Sequence, residues 1–418
     1  MTYSERMLAA LQNEELTEAN LMLEQALQKD APEMLASLAQ ELQVIGFLEE
    51  AKRVYLHLLT IFPEEDSFYL FLAEIAIEDD EIDQAFEYLE KITPASENYL
   101  ESLLIIADLY QVLGIPEVSE AKLIQAKSLA PDEPLILFAL AELHFSNNQL
   151  GEAINEYGQL KKQGLEEVAG VLLDERIGSA YSMMGGFEEA LPFLESALEE
   201  DHTSDRLFQV GFTYYQLHDY QRAIMYLQEL IALEPNYQSA YFILAESLKE
   251  EEQLEEAFET AEQGIKENPF QVELLHLASE IAYRLHDRKK AEELLEQALE
   301  TGEKTDETLL TLSNLYLNED EPEKAIEMIG KMEEDDNPYA AWNLAQAYNA
   351  MEEFELAGTY YQEAYEALNH EPDFLKEYGI FLREDGKIPL SKQVLTQYLE
   401  LEPGDLEVLS LLDDSTER

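Results

Sequence analysis

One interval governs this chain. Small residues return at Ala19, Ala51, Ala85, Ser119, Ala153, Ala190, Ala223, Ala257, Ala291, Ala325, Ala357 and Ser391, in steps of 32, 34, 34, 34, 37, 33, 34, 34, 34, 32 and 34. Around each anchor runs the same phrase: an aromatic or Leu four residues on, a small or apolar residue three later, and often Pro five beyond. Ala51-Tyr55-Leu58-Pro63, Ser119-Leu123-Ala126-Pro131 and Ala223-Leu227-Leu230-Pro235 show it. Twelve residues ahead of the anchor stands a second small residue after an apolar one, as in Leu38-Ala39, Leu140-Ala141 and Leu244-Ala245. A period this long, kept through the chain, predicts one supersecondary unit stacked repeatedly on itself.

The unit reads as two helices and a turn. Leu207, Val210 and Tyr214 form one apolar stripe at helical spacing, and Ala223, Leu227 and Leu230 form another. Small residues belong where two helix axes approach within about 8–10 Å. The intervening turn is His218-Asp219-Tyr220 here, and equivalent turns carry Gly46, Gly114, Gly185 or Gly386. Pro63, Pro131, Pro235, Pro269 and Pro403 end one unit and admit the next. No unit buries its own stripe, so both ends need sealing: Glu5, Arg6, Gln12, Asn13 and Glu14 give the first helix a wet face. Asp405 to Leu412 reads as an amphipathic capping helix before the polar tail Asp413 to Arg418.

Two irregularities stand out. The 37-residue step places extra residues within Lys161 to Asp174, where either a hinge or change of curvature, or a slightly longer helix or loop with no effect on shape, is expected. The chain is accordingly read as an array of about five repeats in residues 1–165, one of about seven in 166–404, and a cap and tail in 405–418. Pro94 is expected to shorten the second helix of the third unit.

The phrase and its period resemble the tetratricopeptide repeat over roughly residues 2 to 404. The resemblance implies an all-α fold: a right-handed α-solenoid superhelix of about twelve helical hairpins with a C-terminal capping helix, the first helix of each pair lining a concave groove. The acidic, cysteine-free repeat set is similar to the stand-alone cytoplasmic tetratricopeptide proteins of Gram-positive bacteria, the YpiA type of Bacillus among them.

Composition narrows the partners. Ninety Asp and Glu against 26 Lys and Arg give a formal charge of -64. Such a surface repels nucleic acid and anionic lipid and attracts basic protein segments. Zero cysteines exclude disulfides and thiol chemistry and fit a reducing compartment. The start, Met1-Thr2-Tyr3-Ser4-Glu5-Arg6, lacks the pattern of a signal peptide, and no apolar run reaches about 18 residues, so direct membrane insertion is not expected and a cytoplasmic location is.

No catalytic, cofactor or metal motif is found, and the reading is of a protein that is not an enzyme. His57, His144, His202, His218, His276, His286 and His370 are scattered without zinc-hydrolase spacing, and His218 and His286 fall in the turn slot. The acid runs Glu78 to Glu81 and Glu333 to Asp336 lack the spacing of a calcium loop. The repeats occupy the chain, leaving no room for a catalytic domain.

The resemblance places groove-facing slots fifteen, eleven and eight residues before each anchor. The middle slot holds the acids Glu74, Asp108, Glu142, Glu246 and Glu280, with Phe212. The first holds Phe138, Phe208, Phe242, His276 and Trp342, and the third Phe145, Tyr215, Lys249 and Tyr283. The expected groove is an acidic ladder beside an aromatic strip, densest from Phe138 to Phe242, that takes a protein or peptide with basic and apolar residues. The Lys and Asn clamp of chaperone-binding repeats is missing; the first slot is basic only at Lys376, beside Ile380. With the first repeat starting near Met1, the added effector domain of bacterial pheromone sensors is not expected either. A scaffold or adaptor heads the functional expectations, followed by a holder of basic or unfolded clients and by a structural subunit of a permanent complex. The oligomeric state is left open.

Overall fold

The computed structural model describes residues 1–334 and 336–413, the last of these by its backbone alone. The tail expected past Asp413, and Asp335 of the acid run 333–336, lie outside the described residues. The described helices pair into twelve hairpins, from Tyr3–Gln12 with Leu16–Lys29 to Pro372–Glu384 with Ile388–Leu401, followed by the short helix Leu406–Asp413. This is the all-α repeat architecture that the 34-residue phrase predicts.

Every hairpin turns in the same way. Five residues before each anchor the backbone enters the left-handed region, at Glu14, Gly46, Asp80, Gly114, Asn148, Gly185, His218, Glu252, His286, Asp320, Glu352 and Gly386. The next N–H then reaches back five residues, as Phe47 does to the Leu42 carbonyl at 2.8 Å and Asp219 to Tyr214 at 2.9 Å. Gly46 takes its φ of 81° without strain, whereas His218 and His286 hold 58° and 63° with a side chain present. The repeated closure is strong enough to carry an ordinary residue through the turn.

Burial follows the phrase. The anchors Ala51, Ala153, Ala223, Ala257 and Ala357 have no exposed surface, and Tyr55, Tyr157 and Tyr361, four residues after three of them, are sealed beside the crossings. Each large side chain so buried contributes on the order of 2 kcal/mol. The core is a chain of clusters rather than one centre: Met7 to Ile75 form one, Leu70 to Leu109 another, Ala341 to Val408 another.

The chain divides into two compact units, Met1–Asp201 with hairpins one to six, and His202 onward with hairpins seven to twelve. The array boundary expected after residue 165 falls one hairpin earlier, where the first unit departs from helix. There the extra residues of the long step form a two-stranded ribbon, Val168 opposite Val171 and Glu167 opposite Leu172. Ala169 and Gly170, both at positive φ, make its two-residue turn. Leu165, Val168 and Val171 pack on the cluster containing Leu160, Leu173 and Ile177. Lys161 pairs with Asp174, whose other oxygen accepts from Ser196 Oγ at 2.8 Å.

Two second helices are short, Ile82–Leu89 and Pro322–Ile329, each of eight residues. The first ends five residues before Pro94, the residue that signals it in sequence.

The final helix is tied down by the buried Val408, by Arg383 donating to the Leu411 carbonyl at 2.6 Å, and by one carboxylate at its start. Asp405 accepts from the Val408 amide at 3.2 Å and from the Tyr398 hydroxyl at 2.8 Å, and it pairs with Lys376 at 2.9 Å. The Lys376 ammonium first, then the Tyr398 hydroxyl and the Val408 amide, hold its pKa down to about 2 from 3.8. A depressed carboxyl stabilises the fold above its unfolded value and loses that contribution as pH falls. Hydrogen exchange should therefore show the Val408 amide protected at neutral pH and released as pH drops from 3.8 toward 2. Protection unchanged across that window would remove Asp405 from this role.

Candidate partner-binding groove

The three slots are spaced as i, i+4 and i+7, which puts them on one face of a first helix. In the first unit Glu74 lies on Ser67–Glu78, Asp108 on Tyr99–Val112, and Phe138, Glu142 and Phe145 on Pro134–Ser146. In the second unit Phe208, Phe212 and Tyr215 lie on Ser204–Gln216, Phe242 and Glu246 on Gln238–Glu250, and His276, Glu280 and Tyr283 on Val272–Arg284. Trp342 lies on Pro338–Ala350.

The acids of the ladder are mostly occupied by the chain itself. Gln43 Nε2 donates to Glu74 at 3.0 Å, the Tyr215 hydroxyl to Glu246 at 2.6 Å, and the Lys249 ammonium to Glu280 at 3.3 Å. In all three the donor occupies the third slot of one hairpin and the acid the middle slot of the next, 31 residues on. A tyrosine four residues after the anchor is a second source: Tyr157 donates to Glu142 at 2.5 Å, with Arg176 2.9 Å from the same oxygen. Burial and then the acid push the hydroxyl pKa values of Tyr157 and Tyr215 well up, so both remain donors. The three 31-residue rungs each tie one hairpin to the next, and Arg176 does the same for Glu142, while Tyr157 closes its own hairpin.

Asp108 has neither source. The third-slot residue before it is Ile77, and the residue four after its own anchor is Leu123. It is exposed, and no described residue hydrogen-bonds to it. Two clefts meet at its side chain. One, of 420 Å³, lies between the third and fourth hairpins and is lined by Ile77, Leu104 and Ile105. The other, of 360 Å³, lies between the fourth and fifth and is lined by Leu104, Leu135 and Phe138. Phe138 is 7% exposed and leans on Tyr157, so it forms the wall of the cleft. Phe145 is half-buried with the Arg176 guanidinium 5.3 Å above its ring.

In the second unit the aromatic residues form a connected, half-buried strip. Phe208 stacks on Phe212 at 6.0 Å and meets Tyr237 at a tilt at 5.2 Å, and Phe212 meets Tyr215 at 6.3 Å. Phe242 is half-buried on the next first helix. The Tyr283 hydroxyl donates to Glu319 at 3.1 Å. His276 shares a 2.8 Å hydrogen bond with Thr308, and burial, ahead of any charge, lowers its pKa. Trp342 donates to Glu377 at 3.1 Å and meets Phe374 edge-on at 5.4 Å, so its ring is committed to the next hairpin.

Comparison with known proteins agrees with this architecture. Residues 338–405 match the model of YpiA-like, C-terminal tetratricopeptide repeats, and 111–165 that of YpiA-like tetratricopeptide repeats. Residues 214–281 match a general tetratricopeptide repeat. The TPR repeat-containing protein YpiA of Bacillus subtilis is 35% identical over 356 residues, covering 84% of each chain. The chain belongs to the YpiA-like tetratricopeptide-repeat family. The YpiA-like chain is also 24% identical over 224 residues, half of its length, to the TPR repeat-containing protein MJ1428 of Methanocaldococcus jannaschii, of which the match covers 38%. A tetratricopeptide repeat protein of known structure from Parabacteroides merdae aligns at 20% identity and a TM-score of 0.44, covering 60% of this chain and 99% of that one.

Among the described residues of the YpiA-like chain, no helix is long and apolar enough to cross a membrane, and no three His, Asp or Glu are placed to hold a metal ion. Slot reasoning alone does not single out Ser119. It is fully buried at its anchor, its hydroxyl has no partner, and it lines the 360 Å³ cleft. The signal is a Ser where most repeats carry Ala.

Proposed function

We propose that this chain is a non-catalytic scaffold that binds a segment of a partner protein along the face formed by its first helices. The observation that supports this most directly is the pair of clefts in the first unit. Ile77, Leu104 and Ile105 are only half-buried there, beside an acid that no described residue pairs with. Uncovered apolar side chains next to an unused charge suit a peptide carrying both chemistries. In the second unit the strip from Phe208 to Phe242 provides rigid rings at modest entropic cost, with Glu246 and Glu280 at its edge. The acidic surface speeds encounters with basic segments at low salt.

A photo-crosslinking amino acid placed at Ile105, at Phe242 and at the outward position Glu256 tests the reading in native cells. Adducts to a small set of proteins are expected from the first two sites and none from Glu256. Equal capture from all three would show that the first-helix face is not the binding surface. A broad, salt-sensitive set would favour a holder of basic clients instead.

A further inference from the structure

Resting on the groove reading, the chemistry of one rung identifies what the first unit takes. The rungs at Glu74, Glu142, Glu246 and Glu280 are satisfied from within, and the rung at Asp108 is open because Ile77 and Leu123 stand where donors stand elsewhere. Gln111, the third-slot residue of the same hairpin, turns to Ser146 at 3.3 Å and does not fill the gap. A second observation comes from below. Ser391, the other serine anchor, donates to the Gly379 carbonyl twelve residues earlier at 2.6 Å. At Ser119 the corresponding residue is Ala107, and the sealed hydroxyl finds no partner. An orphaned polar atom of this kind costs stability unless something satisfies it. Asp108 and Ser119 line the same 360 Å³ cleft, whose walls include Leu104, Leu135 and Phe138.

We propose that this cleft seats a lysine or arginine side chain from the partner segment. The aliphatic stem lies along Leu104, Leu135 and Phe138, the cationic head donates to the Asp108 carboxylate, and, with the cleft wall parted by the entering side chain, an N–H donates to Ser119 Oγ. Long basic side chains bury their stems while keeping the head on a charge partner. The neighbouring cleft, sharing Leu104 and Asp108, receives an apolar residue close to the basic one in sequence. Net charge cannot by itself make this selection, since it is spread over the whole surface, whereas this seat combines one free acid, one buried acceptor and an apolar wall.

The test uses fluorescein-labelled dodecapeptides with leucine and phenylalanine flanks and a central lysine, arginine, norleucine or glutamate. Anisotropy with the full chain at physiological salt should show the lysine and arginine peptides binding about tenfold more tightly than norleucine. Asp108→Asn should erase that preference, Ser119→Ala should reduce it about threefold, and the charge-matched Glu256→Gln should leave it intact. Preference retained in Asp108→Asn, or lost equally in Glu256→Gln, overturns the seat. So does a chain that binds none of the peptides. Equal binding of lysine and norleucine peptides that is lost in Ile105→Ala would leave groove binding standing and remove only the basic seat.

Discussion

Gly264→Val is expected to destabilise the second unit by about 3 kcal/mol, within the range for inserting bulk into a packed core plus a β-branched residue in a helix. Gly264 lies in Leu254–Glu267, seven residues after its anchor, where other hairpins carry Ala, Leu, Ile, Met or Tyr. A Cβ built there would fall 2.6 Å from Tyr241 Cβ and 2.6 Å from Leu274 Cδ2. The leucine methyl has room to swing, but Tyr241 Cβ is fixed to its helix. That ring is buried, and its hydroxyl donates to the Pro235 carbonyl at 2.6 Å. Gly264→Ala meets the same contact but recovers about 1 kcal/mol of helix propensity, and so should fall between valine and wild type. Urea unfolding followed by circular dichroism, with hydrogen exchange to locate the loss in Gln238–Arg284, measures both. Wild-type midpoints for the two variants would show that the crossing yields freely.

The other large effect is centred on His144. Its ring is 7% exposed between two carboxylates, Glu156 at 2.7 Å from Nδ1 and Glu120 at 3.4 Å from Nε2. Burial works against the charged ring, yet the two acids outweigh it and raise the pKa above 6.5. Burial also pushes the Glu156 carboxyl up, so that carboxylate depends on the imidazolium beside it. Removing the ring strands a largely buried acid, and His144→Ala should cost the first unit about 3 kcal/mol. The pH dependence has a definite sign. A raised histidine pKa contributes stability that is complete below the unfolded value near 6.5 and fades as pH rises through the folded value. Wild type should therefore lose stability in the fifth hairpin as pH rises past 6.5, and His144→Ala should lose that slope. A variant with the wild-type slope would place the titration elsewhere.

The repeat register was readable because it rests on small residues at helix crossings, which few other residues satisfy. Every anchor from Ala19 to Ser391 lies five residues after a left-handed turn, and this holds where the turn residue is Glu252 or His286 as firmly as where it is Gly46. The ribbon at 167–172 was not readable. Ala169-Gly170 is a weak hairpin signal, and the ribbon owes its place to tertiary packing of Val168 and Val171 on Leu173 and Ile177. The slots placed the site residues on first helices, but slot identity alone does not tell whether an acid is free. That depends on a residue 31 positions earlier on another hairpin, as Gln43 decides for Glu74 and Ile77 for Asp108. Gly264 shows the same limit in the core, since the room it leaves is filled by Tyr241 from the preceding helix.

The pairing of third-slot donors with the next middle-slot acid separates two kinds of information along this chain. Stacking is written in the anchors, nearly all of them plain alanine, and display is written chiefly in pairs of rim residues that the core ignores. One exchange at the rim switches an acid between structural tether and docking point while the hairpins keep their places, so descendants of such a chain can acquire new tastes without learning to fold again.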